Sequence, residues 1–176
     1  MPEAHSRREV LATGGAALFG FLAAGRRTWA TPGEAVRQGF TPEVLRPAQV
    51  AALQTLGDAL VPGAAAAGVG AYVDAQLAAG DQSKLMAKYV GVPVGQQAGF
   101  YGAALDAVHQ ALEGLTAASL TSAMAGDAVP DWQGPPASYV FFVLRADALD
   151  ARYGTQQGFA DLAILYRAHI LPETAW

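Results

Sequence analysis

Asp106, His109 and Glu113 stand at i, i+3 and i+7 in a stretch rich in helix formers, so a helix places two carboxylates and an imidazole on one face. That set could hold a divalent metal or pass a proton. The same spacing is also what a solvated face looks like opposite an apolar stripe, and Phe100, Ala104, Val108 and Ala111 supply one. The solvated reading is the simpler. His169 lies in Tyr166-Arg167-Ala168-His169-Ile170-Leu171-Pro172, with no second histidine or carboxylate cluster beside it. Packing or partner contact therefore outweighs acid–base chemistry there.

Other chemistries lack their signatures. No serine sits in a Gly-x-Ser-x-Gly elbow. Gly68-Val69-Gly70 lacks the third glycine and the strand–turn–helix setting of a dinucleotide site, and there is no phosphate loop. The chain has no cysteine, which excludes disulfides, iron–sulfur clusters, thiolate zinc and covalently attached haem within it. No catalytic, cofactor-binding or metal-binding residue is assigned to this chain. A stand-alone enzyme or metal protein using His109 and His169 stays as an alternative.

The elements that would position any site are helical. Val50, Leu53, Leu56 and Leu60 recur at helical spacing between Pro47 and the breaker Val61-Pro62-Gly63. Ala71–Ala79 forms a second helix before Gly80, and Asp81 caps a third running to Tyr89, ahead of Gly91-Val92-Pro93. The longest spans about Gln96–Glu113, with Tyr101, Leu105 and Leu112 widening its stripe. Thr116 caps a short helix to about Ala125, and residues 127–137 form a Pro/Gly-rich loop. Tyr139, Phe142, Val143, Ala146 and Leu149 make a further stripe that ends at Tyr153-Gly154. A last helical segment lies around Phe159, Leu162 and Tyr166. Alternating strand patterns are nearly absent, so the expected fold is all-α: a compact irregular domain of five to seven helices over residues 31–176.

Residues 1–30 read differently. Ser6-Arg7-Arg8-Glu9-Val10-Leu11 resembles a twin-arginine export motif, whose paired guanidinium groups suit acidic receptor sites. Sixteen uncharged residues follow, Val10 to Gly25, short of the ~20 of a transmembrane helix and weakened by four glycines. Arg26 and Arg27 come next. Thr28 and Ala30 then supply small residues at the −3 and −1 cleavage positions, which puts a new N-terminus at Thr31. The alternative is a membrane-tethered structural protein that keeps residues 1–30. The twin-arginine route carries folded proteins, so the expected destination is the periplasm.

Just over half the chain is apolar (52%) and only 15% is charged, enough for one packed domain. Four of the eleven basic residues fall in the leader, so the rest is more acidic than the whole chain's net charge of −4. Nucleic acid is not an expected partner, because no concentrated basic face is visible. Trp132, Tyr153, Phe159, Tyr166 and Trp176 crowd the C-terminal third; with His169 they are candidate partner-interface residues.

Residues 45–63, Leu-Arg-Pro-Ala-Gln-Val-Ala-Ala-Leu-Gln-Thr-Leu-Gly-Asp-Ala-Leu-Val-Pro-Gly, and residues 67–74, Ala-Gly-Val-Gly-Ala-Tyr-Val-Asp, follow the leader. With Phe141-Phe142-Val143-Leu144-Arg145 and Tyr153-Gly154 they resemble the gluconate 2-dehydrogenase subunit 3 family. The chain departs from it where Tyr153-Gly154-Thr155-Gln156 replaces the Tyr-Gly-Gly-Asn of many members. The resemblance implies a non-catalytic small subunit that helps a flavoprotein large subunit mature, leave the cytoplasm through the twin-arginine translocase, and stay stable. It implies FAD in that large subunit and haem c in a multihaem cytochrome third subunit. The complex would oxidise a sugar or alcohol at the periplasmic side of the inner membrane.

Overall fold

A computed structural model describes residues 19–23 and 25–164, the side chain of Gln156 aside. Its chain order is β1 (Phe19–Ala23), β2 (Arg26–Ala30), α1 (Pro32–Arg37), β3 (Phe40–Thr41), α2 (Pro47–Leu60), α3 (Val69–Ala78), α4 (Gln97–Ala111), α5 (Ala117–Ala125), α6 (Ala137–Tyr153) and α7 (Gln156–Asp161). Three 3₁₀ turns, Gly80–Gln82, Met86–Val90 and Val94–Gln96, join α3 to α4.

Helix α2 is the hub. Proline opens it, and the Arg46 amide donates to Gln49 Oε1 at 2.8 Å. It packs against α3, α4, α5 and α6 and buries Val50, Ala52, Leu53 and Leu56. Fully burying each larger side chain contributes roughly 1.5–3 kcal/mol. Beyond its end, Asp58 Oδ1 accepts the amides of Gly63 and Ala65 and turns the chain toward α3. Helix α4 buries Tyr101, Ala104, Leu105 and Val108, while Phe100, Ala111 and Leu112 of the expected stripe are half-buried at its edge. Thr116 caps α5 by accepting the Ser119 amide at 3.2 Å.

Three expectations need correction. The fold is mostly helical but not all-α, because β1, β2 and β3 form an antiparallel sheet in the order β2-β1-β3. In β1, Phe21 and Ala23 point inward at a two-residue period that the surrounding small residues obscure. Ala23 pairs with Arg26, so the strands reverse over two residues, and Gly25 takes φ +76° there. Second, no helix runs from Asp81 to Tyr89. Side chains capture the amides a helix would use: Gln76 Oε1 takes Lys84 N–H, Ser83 Oγ takes Leu85 N–H, and Asp147 Oδ1 takes Met86 N–H.

Third, the stripe Tyr139/Phe142/Ala146/Leu149 of α6 does not form its core face. Val140, Val143, Leu144, Asp147, Ala148 and Ala151 are the buried set, and only Val143 belongs to both. Helix α1, which the sequence expectations lack, has a capping-box start in Thr31-x-x-Glu34 with Pro32 as its first residue. The Thr31 amide and hydroxyl donate to Glu34 Oε2 at 2.9 and 2.8 Å, and those bonds, the backbone one foremost, lower the Glu34 pKa.

Candidate functional site

Helix α6 carries the chemistry of the described residues on one side and an apolar seam on the other. On the inner side Asp147 is fully buried, and its carboxyl group accepts hydrogen bonds from the Tyr101 hydroxyl and the Met86 amide, the latter at 3.1 Å. Burial is the dominant influence and pushes its pKa up to about 7; the two hydrogen bonds oppose that, and Asp150 adds to it. Burial first, then Asp147, raises the Tyr101 pKa strongly, so the phenol keeps its proton to donate. Asp150, half-buried, is also raised by burial, with Lys88 pulling the other way. This knot ties α4, the Met86–Val90 turn and α6 together, and its burial closes it to substrate.

Asp74 does a parallel job. It is buried on α3 and accepts the amides of Glu43 (2.8 Å), Val44 (2.9 Å) and Leu45 (2.7 Å), pinning the approach to α2. A carboxylate with three backbone donors is well satisfied. Neither aspartate stood out in the sequence, because single acidic residues inside apolar helices have no motif.

The outer side of α6 presents Tyr139, Phe142, Ala146, Leu149 and Tyr153. Their steps of 3, 4, 3 and 4 trace a continuous seam. Tyr139 and Phe142 are each 50% exposed and Leu149 38%. Tyr153 is half-buried against the core, with the Arg152 guanidinium 5.0 Å from its ring centre. A cleft of about 780 Å³ opens nearby, its lining shared between Glu34, Arg37, Arg152 and Gln157 and small or apolar residues such as Pro32 and Ala66. Arg152 is engaged there by Asp161 at 2.6 Å.

The sequence candidates are dispersed. Asp106 pairs with Arg46 and accepts from Gln49 Nε2 at 3.0 Å, while His109 and Glu113 face solvent. No group of three metal-ligating side chains exists among the described residues. Trp132 is half-buried and donates from Nε1 to the Pro135 carbonyl at 2.6 Å, stapling its own loop. Phe159 is half-buried in α7. Thr28 and Ala30 lie in β2. Ser6, Arg7, Arg8, Val10 and Leu11, and at the other end Tyr166, His169 and Trp176, lie outside the described residues. Among the described residues no helix is long and apolar enough to cross a membrane.

The chain matches no protein-family model, no curated protein and no solved structure.

Proposed function

We propose that this chain is the non-catalytic small subunit of a periplasmic, membrane-associated, FAD-dependent sugar or alcohol dehydrogenase. It assists maturation, twin-arginine export and stability of the flavoprotein large subunit. FAD belongs to that subunit, and haem c to a cytochrome subunit where one is present.

The observation that carries this reading is the outer seam of α6. A strict 3-4 spacing of Tyr139, Phe142, Ala146 and Leu149 is the pattern a partner helix packs against. Leaving it in water costs apolar contact that a docked partner restores, at about 25 cal/mol per Å² of apolar surface covered. The resemblance in residues 45–63, 67–74 and 141–145 supplies the identity of the partner, and the Arg7-Arg8 leader supplies the route.

Co-expression of the large subunit with and without this chain tests the proposal. The expected result is low flavin loading and little periplasmic dehydrogenase activity when the chain is missing. Normal loading and normal periplasmic activity without it would end the proposal.

A further inference from the structure

The hairpin β1–β2 occupies residues that the leader reading would remove, and it is built into the domain. Phe21 is 1% and Ala30 2% exposed, and with Ala35 and Ala71 they form a small core cluster beside the main one among the described residues. Phe21 meets Phe40 edge-on at 6.0 Å, and Phe19 meets Tyr72 edge-on at 5.7 Å. Strand β1 is central in the sheet, pairing with β3 through Leu22–Thr41 and Ala23–Phe40. Arg27 adds an ion pair to Glu43 at 2.6 Å.

The Ala30–Thr31 bond sits where this hairpin meets α1. Ala30 pairs with Phe19, Thr28 is half-buried, and Thr31 is committed to the cap of α1. A leader peptidase needs the residues before its cut free to enter its cleft, whereas β2 is already paired along its length with β1 and Ala30, the residue before the bond, is buried.

We infer that folding seats residues 19–30 as a permanent strap and shields the Ala30–Thr31 bond, so the working protein keeps this hairpin. The idea rests on the proposed route only in its timing, since a chain that folds before export meets the peptidase already folded. Losing the strap would strip Phe19, Phe21 and Ala30 from Phe40, Ala35, Ala71 and Tyr72, baring an apolar face.

The test uses the full chain, purified from the cytoplasm and incubated with a bacterial leader peptidase in detergent, with the products weighed by mass spectrometry. Three forms are compared: wild type, Phe21→Asp, and the double variant Leu22→Cys/Thr41→Cys. That pair links β1 to β3 in a chain that otherwise has no cysteine. Cleavage after Ala30 should be at least about tenfold faster in Phe21→Asp than in wild type, because it proceeds through local opening. The oxidised cysteine pair should be cut more slowly than its reduced form, a comparison that survives if Phe21→Asp unfolds the whole domain. Wild type cut as fast as Phe21→Asp, or oxidised as fast as reduced, overturns the inference. So does resistance in every form, since seating would then not be the cause. Because these reactions need no export, failure of the export reading leaves the outcome legible.

Discussion

The Tyr101 hydroxyl donates a hydrogen bond to the buried carboxylate of Asp147, joining α4 to α6 across 46 residues of sequence. The same carboxylate holds the Met86 amide, so one side chain fixes the path of the α3–α4 connection. A buried carboxylate with two donors is tolerated but not comfortable, and its protonation sets a pH dependence.

Stability should fall as pH rises through the Asp147 transition. Its folded pKa, about 7, lies above the ordinary value of 3.8, so the folded state binds the proton more tightly. The stabilisation is complete below about pH 4 and is lost progressively as pH rises through 7. Asp147→Asn, which cannot titrate, should remove this component. Urea unfolding of both forms at pH 5 and pH 8 should show wild type losing on the order of 2–4 kcal/mol more than the variant.

Tyr101→Phe should destabilise the fold by about 1–3 kcal/mol, because Asp147 loses a buried donor. The sign of its pH dependence follows from that hydrogen bond, which lowers the Asp147 pKa. Without it the carboxylate ionises less readily, so the loss should be larger at pH 8 than at pH 5. Equal losses at both values would show that the bond does not stabilise the ionised form.

The two faces of α6 should respond oppositely to mutation. Phe142→Asp on the exposed seam should change stability by no more than about 0.5 kcal/mol yet abolish co-purification with the proposed flavoprotein large subunit. Leu144→Ala on the buried face should cost about 2–5 kcal/mol. Thermal unfolding and affinity capture from the same preparations separate the two effects.

Asp74→Ala should cost about 2–4 kcal/mol, since three amides at residues 43–45 lose their acceptor. Asp74→Asn should recover part of that, keeping one carbonyl oxygen for Val44 and Leu45. Chemical denaturation of the three forms gives the ranking.

Gly68→Ala should be among the most damaging single-methyl additions. Gly68 has φ +87°, and a Cβ there would stand 2.4 Å from the Pro32 carbonyl group, where α1 and α3 begin side by side. Gly95→Ala, with open space around it, is the control, and a comparison of melting temperatures decides between crowding and mere loss of chain flexibility.

Much of the helical frame was legible from local signals. Pro47 opens α2, Thr116 caps α5, and the Phe100–Val108 stripe marks α4, because capping and periodicity act within a turn or two of the residues that carry them. The Asp81–Tyr89 segment misled for the opposite reason. Its amides are claimed by Gln76, Ser83 and Asp147, and the last is 61 residues from Met86.

The candidate site shows the same division. Asp106 and His109 share α4 as expected, but Glu113 falls in the turn beyond its end, and Arg46 and Gln49 from α2 claim Asp106 while His109 stays in solvent. The Asp147–Tyr101 pair had no local signature at all.

By itself the sequence determined where α2, α4 and α5 begin, the shortage of charge and the missing thiols, all readable from neighbours along the chain. Only the tertiary structure decided that α6 turns Val140, Val143, Leu144 and Asp147 inward while Tyr139 and Phe142 face out, and that Phe21 belongs to a strand over Phe40. Both outcomes depend on which surface lies opposite, and close packing selects a face by shape as well as by hydrophobicity.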